Sequence, residues 1–281
     1  MSVVSGSLRV LWAEALRILR LRSTYAVALA LVALVGLRTY VAVDWTAEER
    51  GGDVDPLSSG GAWAPLVDGW ALGLVFGNLV LLLHAARTIA GDCENGVLRF
   101  ATTRSVTRSG LVLGRVLLAP FLVGAVMAVT GLTAYLVAGS MADFGPFVED
   151  GFEILTAGQL GEEVTRSVWA VVPPMLATYA FGLFLSCLAR GATLSSAAAL
   201  GIFLAFDLFK TILGDAHYWV FASHVPTPAG GSTWSELPGV ARGFSDSGFS
   251  PELIQAGFAG SWPALIVFTV GACVVLQRRS L

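Results

Sequence analysis

The sequence predicts an all-α integral membrane protein, a bundle of six transmembrane helices, and three observations point there. Of its 281 residues, 55% are hydrophobic and only 13% are charged, against about 25% charged in a soluble domain. Six separate stretches each supply about the 20 apolar residues that a bilayer-spanning helix needs. The charges that remain are sorted by sign between alternate connections. No run of short alternating strands suggests a barrel, so helices, which satisfy their own backbone in lipid, are the expected solution.

The expected spans are residues 25–43, 69–90, 111–138, 168–188, 193–213 and 258–276. Ahead of the first, residues 1–24 read as an amphipathic helix. Leu8, Leu11, Trp12, Ala15, Leu16 and Leu19 follow helical spacing, and Arg9, Arg17 and Arg20 lie on the opposite arc with Glu14 at its margin. Such a helix is expected to lie in the membrane interface. It does not read as a cleavable signal, because its charged region is long and no small-residue cleavage site follows a short apolar core.

Orientation follows from arginine. Arg9, Arg17, Arg20 and Arg22 precede the first span; Arg99, Arg104 and Arg108 separate the second and third; Arg190 separates the fourth and fifth; Arg278 and Arg279 follow the sixth. The positive-inside rule makes this side cytoplasmic, with both termini inside a cell (inner or plasma) membrane. The opposite connections are rich in Asp and Glu. The longest, residues 214–257, carries Tyr218, Trp219, Phe221, Trp234, Phe244 and Phe249 and is expected to form a short cap or to lie on the outer leaflet. The whole chain, 1–281, reads as one transmembrane domain.

Little in the sequence speaks for catalysis. There is no phosphate-binding GxxxxGK[ST] loop, and the sole lysine, Lys210, falls inside an apolar span. HExxH and GxSxG patterns are absent, and no catalytic residue is expected. Cys93, Cys187 and Cys273 lack metal-ligand spacing and read as free thiols. His217 and His224, without placed carboxylates, make a poor metal pair, so no metal is expected. No nucleic-acid partner is expected either. Pro120, Pro173, Pro174 and Pro263 fall in or near spans, where proline commonly kinks a helix.

Two features carry more information. Asp207 and Lys210 stand three apart in "FLAFDLFKTIL", on one helical face and within reach of each other. Intramembrane charges are costly and face protein or a water-filled cavity. The pair reads either as part of a conduit or as a self-neutralising structural pair, and Arg38 as an interfacial charge that could reach Asp207. The second feature is the cytoplasmic connection "GDCENGVLRFATTRSVTRSG", residues 91–110. It can form a short half-apolar helix at the membrane surface, with Val97, Leu98 and Ala101 on one side.

The run "ENGVLRFATTRSVTRSGLVLGR" resembles the signature of ABC-2 type transporter permeases, the membrane-spanning subunits of ABC exporters. In that family a Glu-x-Gly-Thr-Leu segment precedes a short apolar run, a Pro-Val-Ser-Arg-like turn and a basic residue early in the next span. Glu94, Gly96, Leu98, Val106, Arg108 and Arg115 match in order and spacing, while Val97, Ser105 and the pair Ala101–Thr102 depart from the pattern. The resemblance implies that residues 91–110 hold a coupling helix docking on a cytosolic ATP-binding subunit. Glu94, Gly96, Leu98, Arg99, Arg104 and Arg108 would be its contact residues. It also implies two copies of that ATPase, which bind the ATP and Mg this chain lacks the means to hold, and a second permease copy forming a homodimer. Glu94 and Arg99 would make polar contacts to the ATPase while Leu98 packs into a groove on it. Two other readings fit the same sequence. One is a subunit that transmits force to an external or periplasmic partner assembly rather than moving a substrate. The other is an ATP-independent carrier using Asp207 and Lys210 as its coupling pair.

Overall fold

The computed structural model describes residues 3–49, 61–98, 107–149, 152–228 and 251–279. Seven α-helices run through them: α1 (Val3–Arg20), α2 (Arg22–Glu49), α3 (Trp63–Glu94), α4 (Arg108–Met141), α5 (Ala157–Leu188), α6 (Ala192–Phe209) and α7 (Pro251–Arg278). Six of these, α2 to α7, are long and apolar enough to cross a membrane. The all-α membrane bundle expected from composition is what forms. The one sheet among the described residues is a two-stranded hairpin, β1 (Phe147–Glu149) with β2 (Phe152–Leu155).

The helices overrun the apolar stretches that announce them. A 32-residue helix is about 48 Å long, whereas the hydrocarbon core is about 30 Å thick. The excess carries polar turns out of the bilayer. At α5 it amounts to eleven residues before Val168, and the start is fixed by a capping box in which the Thr156 hydroxyl and the Gln159 side chain satisfy each other's backbone amides. The helices continue past Pro120, Pro173, Pro174 and Pro263.

Helix α5 is the hub. It is buried over 83% of its most apolar window, against 22% for α2 and α6 and 17% for α7, and it packs most heavily on α7 and α3. On its far side α3 meets α2 and α4 along Gly69, Gly73 and Gly77, one residue per helical turn. A Cβ on Gly73 would fall 2.7 Å from both Thr130 Cβ and Val35 Cγ2. Only glycine permits this approach, the small-residue packing that draws helices together in lipid.

Two expectations at the acidic end are corrected. The fifth span ends as an α-helix at Phe209 and continues as a 3-10 helix, Lys210–Trp219, followed by another over Phe221–His224. Of the two forms expected for the external loop, these short helices fit the cap and not the segment spread on a leaflet, and residues 221–227 are buried: Phe221 packs against Phe181 and Phe268, inserting the segment between α5 and α7. The helix of the sixth span also starts earlier than expected, at Pro251, so the loop is shorter by seven residues. Trp234, Phe244 and Phe249 lie outside the described residues.

Candidate coupling site

At the end of the bundle that carries α1 and the C-terminal turn of α7, three charged clamps converge on the segment joining α3 to α4. The first begins where α3 stops. Asn95 caps the helix, its backbone and side-chain nitrogens both donating to the Gly91 carbonyl at 3.0 and 2.9 Å. Gly96 follows with φ +70°, the left-handed conformation favoured just beyond a helix C-terminus. That turn leaves the Glu94 carboxylate facing α6, where Oε2 accepts from the Ala192 amide at 2.9 Å. A carboxylate there satisfies an orphan amide and complements the positive end of the helix dipole.

The second clamp is Arg108, the first residue of α4. Its Nη1 donates to the carbonyls of Leu276, Gln277 and Arg279 at 3.3, 2.9 and 2.7 Å. These are orphan acceptors at the end of α7, and a cation suits the negative end of that helix. Thr107 caps α4 itself, accepting from the Gly110 amide. Arg279 in turn reaches the Cys187 carbonyl at the end of α5, 3.0 Å away.

The third clamp is buried. Arg115 is 2% exposed. Its Nε and Nη2 donate to Glu14 Oε1 at 3.0 and 2.7 Å, and Nη2 also bonds Asp92. Arg17 closes the group, 3.3 Å from Asp92 and 3.7 Å from Glu14. Four charges of zero sum thereby join α1, α3 and α4. Helix α1 can come this close because Ser7 and Val10 lie directly over Gly114, where a Cβ would sit 2.7 Å from both.

Of the expected site residues, Glu94, Gly96 and Arg108 therefore come together at one end of the bundle, each fixing a helix terminus. Leu98 needs correction. It is 1% exposed and belongs to this chain's own core, so it has no free surface to offer a partner. Its neighbour Val97, 49% exposed, presents the apolar surface instead. Arg99 and Arg104 lie outside the described residues. Asp207 and Lys210 do pair, at 2.8 Å and almost fully buried, with Thr227 a further 3.1 Å neighbour of the amine. That arrangement staples the 3-10 segment to α6. Arg38 meets Asp68 at 3.5 Å rather than Asp207. His217 and His224 each engage a backbone carbonyl, of Gly214 and Tyr218. Cys93, Cys187 and Cys273 are free thiols. No group of side chains suited to a metal occurs among the described residues.

The buried quartet escaped sequence reasoning, which placed Glu14 on the margin of a polar arc and left Asp92 in a loop. A signal was present. Ser7, Val10 and Glu14 share one helical face, and Glu14 is the only acidic residue before the first span.

Six helices long and apolar enough to cross a membrane, with the connection between the second and third spans clamped by charge, define a multi-pass membrane protein. Residues 8–229 match the family model for the ABC-2 family transporter protein. The chain belongs to that family, whose members are membrane components without an ATPase site of their own, and is a permease component of an ABC transporter. A search of curated proteins returns no match.

Proposed function

We propose that this chain couples ATP hydrolysis by a separate cytosolic ATPase to the export of a substrate. The basic end faces the cytoplasm, two ATPase copies bind there with their ATP and Mg, and a second copy of the chain completes the path. The observation that carries this reading is the way the 91–110 connection is anchored. Two of its ends hold other helices by charge, α6 through Glu94 and α7 through Arg108, and Arg115 ties α1 to the same place. Force applied to the connection reaches five of the seven helices without passing through the central α5.

Allosteric coupling requires the ATPase to bind two states of the bundle with different affinity. Val97 and Arg99 supply the docking surface, while Glu94 and Gly96 set its angle and Arg104 adds charge. The reversal E94R/R99E tests the assignment in the complex copurified with its ATPase and reconstituted in vesicles. Substrate-stimulated ATP hydrolysis and flux should fall at least tenfold; unchanged binding, hydrolysis and flux would overturn the roles of both residues.

A second reading, force transmission to an external partner, draws on the hairpin at the opposite end. Phe152 is 77% exposed on β2, beyond the point where the apolar part of α5 begins. A partner-docking role predicts that F152S abolishes capture of that partner while ATP-driven flux persists.

A further inference from the structure

Below Gly77 the close packing of α2, α3 and α4 gives way. The residues that follow it on the same side of α3 are Val80, His84 and Arg87, and all three line the opening. A cavity of about 690 Å³ opens there between α1, α2, α3 and α4, within the ~300–1,000 Å³ of ordinary ligand sites. Its two ends differ in chemistry. At the basic end stand Arg17, Arg87 and His84; deeper in, Leu31, Val126 and Val129 form the wall.

The dimensions match the membrane. The cavity runs along α3 from Thr88 to Val80 and along α4 from Leu122 to Val129, nine and eight residues, or about 10–12 Å from first to last at 1.5 Å per step. One leaflet of the hydrocarbon core is about 15 Å deep. The charge is unbalanced at the mouth. Glu14 and Asp92 are matched by Arg115 and Arg17, and Arg87 is exposed and has no carboxylate partner among the described residues. Arg17, half exposed, keeps donors that Asp92 and Glu14 leave unused. An excess guanidinium over an apolar slot attracts an anionic head and one acyl tail, as basic pockets between transmembrane helices do.

We propose that this cavity is a binding site for an anionic phospholipid of the leaflet at the basic end, with the phosphate between Arg17 and Arg87 and one acyl chain against Leu31, Val126 and Val129. The lipid enters from the side, between α1 and α2, which touch each other only slightly. Its occupancy fills the wedge between α1 and the bundle and so sets how firmly the amphipathic helix is seated.

The test uses the full chain purified in mild detergent, with native mass spectrometry to count retained lipid during titration with phosphatidylglycerol or phosphatidylcholine. Phosphatidylglycerol should bind in one preferred copy per chain. R87Q should weaken that binding about fivefold, the worth of one arginine at an anionic surface. The tail variant A28F/A125F, which places two rings in the slot, should abolish the preferred copy while leaving R87Q-independent weak binding. Soluble glycerol phosphate should not compete, because it lacks a tail. Matching melting curves for R87Q and wild type establish that the fold is intact. Equal retention of both lipids, unchanged binding in R87Q, competition by glycerol phosphate, or capture of a second copy of the chain at this face would each overturn the proposal.

Discussion

Replacing Arg115 by methionine removes the cation at the centre of the buried quartet and keeps most of its volume. The loss is large because of what remains. Glu14 and Asp92 are both 8% exposed, their shortest bonds end on the Arg115 guanidinium, and without it only the half-exposed Arg17, at 3.7 and 3.3 Å, is left to oppose them. Breaking a buried ion pair by deleting one partner costs about 3–5 kcal/mol, and R115M should lose that much. The cost is that of stranded charge, not of lost attraction. The triple variant E14Q/D92N/R115M, which carries no buried charge at this place, should therefore recover most of the loss. Denaturant titration of the chain in detergent micelles, followed by tryptophan fluorescence, measures both. A loss below about 1 kcal/mol in R115M, or a triple variant no more stable than the single one, would refute the reasoning.

Four further outcomes follow from the same contacts. G96A forces a side chain into φ +70° with open space around it, so it should cost only about 1–2 kcal/mol of strain; a larger midpoint shift would mean an unrecognised contact. K210M strands Asp207 in the bundle and should destabilise by about 3–5 kcal/mol, while D207L/K210M should be near neutral, as a double-mutant cycle on the same titration will measure. R108Q removes the cation bonded to the last carbonyls of α7 and should cost about 1 kcal/mol, seen as faster amide exchange over residues 274–279. Burial lowers the pKa of His224 below its usual value, against a smaller upward pull from its bond to the Tyr218 carbonyl. The unfolded chain then binds the proton more readily than the folded one, so stability should hold above about pH 6.5 and fall below it. H224Q should flatten that slope in midpoints measured from pH 5 to 8.

Most of the architecture was legible because lipid leaves the chain few choices. Twenty apolar residues in a row have one solution in a bilayer, and six such runs fixed the count, the order and the placing of the clamped connection. Helix ends were less legible. Gln159 and Thr156 extend α5 well outside the apolar stretch by local capping, which hydropathy does not register. The pairing of Asp207 with Lys210 followed from a spacing of three; the pairing of Arg38 with Asp68 did not, because it depends on how α2 and α3 are rotated. Leu98 was misplaced for a similar reason. An apolar residue in a polar connection reads as a docking knob until the bundle itself is seen to cover it. The quartet of Glu14, Arg17, Asp92 and Arg115 was hidden by distance along the chain, since none of its cross-helix pairs belongs to a local pattern.

That distance governs how the protein is made. Glu14 precedes Arg115 by 101 residues, and at about 5–20 residues per second a nascent chain waits on the order of 5–20 s between the two. Throughout that interval the carboxylate on α1 has no Arg115 to meet, and hydration is its cheapest state. The amphipathic helix must therefore stay at the water-facing surface while α2 and α3 enter the membrane, and dock only once α4 has delivered its arginine. Seating α1 is a late act of assembly, and a chain arrested short of residue 115 keeps α1 loose however well α2 and α3 have inserted.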